Sequence, residues 1–235
     1  MTEELYLRDS YLREFDAEVV AHDIARNGVK LDRTAFYPGG GGQPCDIGKL
    51  RNGQSEYDVS KVVRGNLHII DGPLPPVGSD ILGMIDWERR YKLMRTHTAM
   101  HVLCGVIWRD YQASVTGGNM DVLSGRMDFE FERLVPEVVA EIDEKINSEV
   151  ATARDVEIQI LPRSVAFEIP DLIRTKINLL PETIKEVRTV EIVGLDLQAD
   201  GGTHVANTRE VGAIRISKYK SKGGINKRLY VEIGG

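Results

Sequence analysis

The chain has 235 residues, 42% hydrophobic and 28% charged, with a formal net charge of −6. That suits a globular protein with one large or two small cores, and it argues against a uniformly basic nucleic-acid binder while leaving room for a local basic patch. Cys45 and Cys104 form no CxxC pair and suggest no disulfide framework. Residues 1–6 lack the basic and apolar regions of a signal peptide, and no apolar run approaches the ~20 residues that span a bilayer. The expectation is a cytoplasmic protein without a membrane segment.

In chain order, residues 1–88 read as mostly β. Segments 18–23 and 29–32 look like strands, and turn signals follow closely at Asn27-Gly28, Asn52-Gly53, Arg64-Gly65 and Asp71-Gly72. Segments 58–63 and 66–70 pair as a hairpin across Arg64-Gly65, and 80–86 adds a further strand, which together predict a small β-barrel. Within this region lies the loop Tyr37-Pro38-Gly39-Gly40-Gly41-Gly42-Gln43-Pro44. Four glycines in a row are costly in backbone entropy, so the loop reads either as a plain hairpin tip or as bare backbone that must approach a ligand closely. The flanking prolines favour a shaped loop.

Apolar residues at helical spacing predict a long helix over 87–111, with His97 and His101 on or beside its apolar face. Positions i and i+4 share one helix face, so two imidazoles so placed can grip one metal ion. Alone, HxxxH is a weak motif, since core histidines are common. After a turn at Gly117-Gly118-Asn119, the segment 122–131 alternates as a strand. Pro136 opens a second helix, with Val138, Val139, Ile142, Ile146 and Val150 as its buried stripe. Strands follow at 156–160, 187–193, 211–216 and 229–233, with a short helical turn at 164–167; 169–181 shows no clear pattern. The order predicts an α+β chain: an N-terminal small β-barrel (1–88) carrying the Gly-rich loop 39–42, then a two-layer α+β domain (89–235) with a mostly antiparallel sheet.

A third histidine follows in Asp200-Gly201-Gly202-Thr203-His204. Glycines between the carboxylate and the imidazole let the backbone fold so that both can point at one ion. With His97 and His101 they would complete a tetrahedral site of the kind zinc takes from His nitrogen and carboxylate oxygen. Asp-Gly is also a common turn, so Asp200 alone carries little. A basic cluster, Lys218, Lys220, Lys222, Lys227 and Arg228, surrounds Gly223-Gly224. It reads as a solvated hairpin or as a phosphate-contacting loop.

The segments 96–101 (Thr-His-Thr-Ala-Met-His), 201–212 and 222–228 resemble the editing domain of alanyl-tRNA synthetase. The whole chain, with its N-terminal barrel and Gly-rich loop, is similar to the medium-length class of the free-standing AlaX editing proteins. The resemblance covers nearly all of the chain and rests on several separated motifs in order. It implies a zinc-binding editing domain over 89–235 that holds one Zn2+ per chain and hydrolyses Ser-tRNA(Ala) while sparing Ala-tRNA(Ala), and it leaves open whether Gly-tRNA(Ala) is a further substrate. It implies His97, His101 and His204 as ligands. The family motif usually has Cys where this chain has Asp200, so Asp200 either ligates through oxygen or leaves a three-histidine site.

The partner implied is the acceptor end of tRNA(Ala) carrying serine. Lys218, Lys220, Lys222, Lys227 and Arg228 would hold the phosphates, and backbone N–H groups at Gly40 and Gly41 would come near the ester or terminal adenosine. Rejecting alanine needs a buried polar group that stays unpaired when serine's hydroxyl is missing. Thr116, where shorter family members also carry a threonine, is the first candidate, and Thr98 the second. Two rival readings are a tRNA-binding module with a structural zinc and no catalytic activity, and a zinc hydrolase acting on a small ester without RNA.

Overall fold

The structure, a computed structural model, describes residues 2–131, 133–170, 172–173 and 184–234. The chain forms two compact units, Met1–Lys92 and Leu93–Gly235. Among the described residues no helix is long and apolar enough to cross a membrane.

In chain order the first unit contains β1 (Glu3–Glu4), β2 (Glu14–Asp23), β3 (Gly28–Leu31), β4 (Arg33–Thr34), β5 (Gly48–Asn52), β6 (Ser55–Val63), β7 (Leu67–Asp71) and β8 (Asp80–Ile85). Strands β2-β3-β7-β6-β5-β8 close into an antiparallel barrel, and β1 pairs with β4 in parallel beside it. Closure removes the unpaired edges that six short strands would otherwise expose. Alternation puts Phe15, Ala17, Val19, Leu31, Leu50, Val59, Val62, Ile70 and Ile81 inside. Gly83 is required there, because a Cβ would lie 2.4 Å from the Phe15 ring.

His68 is fully buried in this unit, with Nε2 on Thr34 Oγ1 (2.9 Å) and Nδ1 facing Val29 O (3.3 Å). Burial pushes its pKa down from 6.5 to about 4. The folded state therefore keeps His68 neutral where the unfolded chain binds a proton. The stability it preserves is complete above pH 6.5 and is lost as pH falls toward about 4. The loss amounts to roughly 3 kcal/mol. Urea unfolding across that window should show wild type losing more stability than His68→Leu, and parallel losses would contradict the assignment.

The Gly-rich loop is shaped from within its own unit. Gly39, Gly40, Gly41 and Gly42 all take positive φ (81°, 145°, 57° and 94°), which explains the four glycines. Gly40 and Gln43 exchange backbone hydrogen bonds (3.0 and 2.8 Å), and Tyr37 Oη donates to Gly40 O (3.1 Å). At the loop's base the buried Asp46 accepts from Tyr37 N (2.6 Å) and is held by the buried Arg90 guanidinium, whose Nε lies 2.9 and 3.0 Å from its two oxygens. The same guanidinium donates to Ser10 O (3.0 Å) and Ala35 O (2.6 Å).

Helix α1 (Trp87–Tyr111) has the bounds its apolar spacing predicts. The second unit continues with β9 (Val115–Asp121), β10 (Ser124–Glu130), α2 (Pro136–Ala151), β11 (Val156–Pro162), α3 (Arg163–Ala166), β12 (Glu186–Ile192), β13 (Asp196–Ala199), β14 (Ile214–Ser221) and β15 (Asn226–Ile233). It carries two antiparallel sheets, ordered β14-β15-β10-β9 and β11-β12-β13. Two local readings shift. Gly117 and Gly118 lie inside β9, and the turn comes at 122–123. The reason is packing: Met100 of α1 lies over Gly118 and Gly125, where a Cβ on Gly125 would sit 2.8 Å from its sulfur. The strand expected at 211–216 starts only at Ile214, because Gly212 takes φ 78° and breaks the run. The segment 169–181 falls largely outside the described residues.

Candidate metal centre

Helix α1 delivers His97 and His101 one turn apart, both buried, with ring centroids 5.2 Å apart. Strand β13 leads into the loop that brings Asp200 and His204 to them. His97 stacks on His204 at 4.2 Å, and His101 meets it edge-on at 4.7 Å. His204 Nε2 lies 3.1 Å from Asp200 Oδ1, and His97 Nε2 lies 3.5 Å from Asp200 Oδ2. One donor atom from each of His97, His101, Asp200 and His204 falls within 4.8 Å of all the others, so this group could hold a metal ion.

The loop is held by more than its glycines. Neither Gly201 nor Gly202 takes a positive φ. Instead Asp200 Oδ1 accepts from Gly202 N (2.6 Å) and makes the turn itself. Arg188 of β12 donates to Asp200 O (2.8 Å), and Asp200 N returns a bond to Arg188 O (3.1 Å).

Each imidazole has a second partner that fixes its ring, as metal-binding histidines require. His101 Nδ1 faces Asp196 Oδ2 (3.0 Å), His204 Nδ1 faces Thr98 Oγ1 (3.3 Å), and His97 bonds the Thr203 backbone. Asp196 also accepts from Gln198 Nε2 (2.7 Å), whose amide reaches Cys104 Sγ (3.2 Å). Gly105 makes this approach possible, since a Cβ there would lie 2.9 Å from Asp196 Cβ.

Burial pushes the His97 pKa down to about 4 and holds His204 well below the usual imidazole range. Both rings are thus neutral near pH 7, the form in which an imidazole can ligate a metal. For His101 burial acts downward, but the hydrogen bond and charge of Asp196 prevail and raise it. Burial opposes ionisation of Asp200, yet the facing imidazoles of His97 and His204 hold its carboxyl well below the usual range.

The structure brings His97, His101, Asp200 and His204 together, with Thr98 beside them. Thr98 is buried, and its hydroxyl oxygen also accepts from Val205 N (3.2 Å), so it positions His204. Thr116 is exposed, and its hydroxyl donates to Asn226 Oδ1 (2.9 Å). Gly40 and Gly41 belong to the first unit. Of the basic cluster, Lys218, Lys220 and Lys222 are exposed, whereas Lys227 is buried with its ammonium on Gly224 O, and Arg228 is committed to both oxygens of Asp128 (2.6 and 2.7 Å).

Sequence reasoning missed Asp196, Gln198 and Arg188. The available signal was Asp196 and Gln198 alternating on one strand face just ahead of Asp200. Replacing Asp196 with Ala should lower metal affinity by roughly 10- to 100-fold with the fold retained. Chelator competition measures this, and an unchanged affinity would deny Asp196 its positioning role.

The profile of a family described as "Threonyl and Alanyl tRNA synthetase second additional domain" matches residues 187–230. The chain is 42% identical to an alanyl-tRNA editing protein AlaX-M of Saccharolobus solfataricus over 99% of each protein. It is 40% identical to an AlaX-M of Methanosarcina acetivorans over 98% of each. It is also 39% identical to part of an alanine–tRNA ligase of Pyrobaculum aerophilum, over 92% of this chain and 25% of that protein.

Proposed function

The chain belongs to the AlaX-M family of alanyl-tRNA editing proteins, and on that premise we propose that it is a zinc-dependent deacylase that hydrolyses Ser-tRNA(Ala) and spares Ala-tRNA(Ala). The observation that carries the reading is the convergence of His97, His101, Asp200 and His204. Three imidazoles and a carboxylate suit zinc. Bonds of about 2.0–2.2 Å would place tetrahedral ligands roughly 3.3–3.6 Å apart. The 3.1 and 3.5 Å separations already present are close to that. A zinc held by these four residues would supply a Lewis acid for an ester carbonyl and a means of acidifying water. Structural zinc sites are usually closed and thiolate-rich, whereas this donor set has no sulfur, which supports a working site over a structural one.

The protein's own groups prepare that chemistry. Asp196 and Thr98 fix the His101 and His204 rings, and Asp200 is anchored through Gly202 and Arg188. Serine differs from alanine by one hydroxyl, so discrimination rests on a polar group that alanine leaves unpaired. Thr98, buried beside His204, is assigned that role, because Thr116 is exposed and its hydroxyl is donated to Asn226. The exposed Lys218, Lys220 and Lys222 are assigned to tRNA phosphates.

The test is a comparison of Ser-tRNA(Ala) and Ala-tRNA(Ala) deacylation by the zinc-loaded protein. Cleavage of the seryl ester alone supports the reading, and equal cleavage or none overturns it. The Gly-rich loop is assigned to the aminoacyl end of the tRNA. The double variant Gly40→Val/Gly41→Val should lower hydrolysis about 10-fold or more with zinc content unchanged, because valine strains both positive-φ positions. Undiminished activity would remove the loop from the account.

A further inference from the structure

The four-stranded sheet has two unlike faces. Met127, Phe129, Leu229 and Val231 are buried on one. The opposite face carries Arg126, Asp128, Arg228 and Tyr230, with Arg126 paired across from Tyr230 and Asp128 across from Arg228. Two more cations reach this face only through a bulge. Ile216 pairs with Val231, but Lys218 pairs with Tyr230, so Ser217 is an extra residue in β14. Were Ser217 paired in a regular ladder, the alternation would continue and turn Lys218 and Lys220 toward the core side. With the bulge, Lys218 lies across from Tyr230 and Lys220 across from Arg228.

The Tyr230 ring therefore sits in a frame of cations, with Lys220 Nζ 5.8 Å and Arg228 Cζ 5.9 Å from its centroid. Asp128 is taken up by Arg228 in a two-oxygen ion pair, with Arg126 Nη1 at the longer distance of 3.9 Å from its Oδ2. Among the described residues neither Lys218 nor Lys220 pairs with a carboxylate. A half-buried aromatic ring flanked by Lys220 and by the Asp128-bound Arg228, with Lys218 across from it on a polar sheet face, has the chemistry of a single-stranded RNA platform: bases stack on the ring and phosphates lie along the lysines.

We propose that this face binds an unpaired RNA strand, with Tyr230 stacking on a base and Lys218, Lys220 and Arg126 contacting its phosphates. The proposal rests on the reading of the chain as a tRNA deacylase, which makes the strand the unpaired 3′ end of the tRNA. It adds Tyr230 and Arg126 as contacts, and it keeps Arg228 as a fixed flank instead of a free phosphate ligand.

The experiment measures tRNA(Ala) affinity against salt for wild type, Tyr230→Phe, Tyr230→Ala and Lys218→Ala/Lys220→Ala, with Ser-tRNA(Ala) cleavage by wild type alongside. Tyr230→Ala should weaken binding roughly 5- to 100-fold with little change in salt slope, and Tyr230→Phe should retain it. The double lysine variant should weaken binding and reduce the slope by about 1.4, the value for two single-strand phosphate contacts. Weakened lysine variants with full affinity in Tyr230→Ala would overturn the stacking platform and leave plain phosphate contact. Full affinity in all variants would overturn the surface altogether while wild-type cleavage keeps the deacylase reading intact. Wild type that neither binds nor cleaves the tRNA would overturn both.

Discussion

A His97→Ala protein should lose its zinc and, with it, its ester hydrolysis. His97 is buried and lies against both His204 and Asp200, so removing its ring takes one donor away and opens a gap between two others. Loss of a hydrogen-bond partner behind a ligand already costs about 10- to 100-fold in metal affinity. Loss of the ligand itself should exceed about 100-fold by that standard. Asp200→Ala should be milder, since it leaves three imidazoles and removes a carboxylate that is also spent on Gly202 N–H. Metal analysis of the purified proteins with chelator competition checks both. Full zinc occupancy in His97→Ala would place the metal elsewhere.

The second large effect lies in the barrel unit. Asp46→Ala should destabilise that unit by about 3–5 kcal/mol, because it strands the Arg90 guanidinium, which has no exposure to solvent, without its counter-charge. It also leaves Tyr37 N, at the base of the Gly-rich loop, without its acceptor. Adding Arg90→Met should recover part of the loss by removing the stranded charge. Recovery stays incomplete because Ser10 O and Ala35 O then lose their donor. Urea unfolding of the two variants and wild type measures this. A single-variant loss under about 1 kcal/mol would show that the charge reaches water in another way.

The parts of this molecule legible in the sequence are those set by local period and local chemistry. Helical spacing gave the bounds of α1 and put His97 and His101 on one face, and Pro136 marked the start of α2. The motif from Asp200 to His204 stood out because carboxylate and imidazole flank glycines. Non-local pairing was less legible. Nothing local says that β2 pairs with β8 to close the barrel, or that Gly117 and Gly118 serve as strand residues under Met100. A buried Arg90 looks like any helical arginine until Asp46 is seen 44 residues away. Asp196 passes unnoticed in the sequence because its partner, His101, lies in a helix 95 residues away. The basic cluster was visible as composition. Its division into exposed lysines and committed Lys227 and Arg228, and the bulge at Ser217, follow from register, which a charge run does not encode.

The most direct measurement is Ser-tRNA(Ala) deacylation by one protein sample in three states: as zinc-loaded, after chelator stripping, and after zinc is restored. The account predicts cleavage in the first, its loss in the second and its return in the third, with His97→Ala inactive throughout. Undiminished cleavage by stripped protein, or by His97→Ala, would contradict a metal centre built from His97, His101, Asp200 and His204.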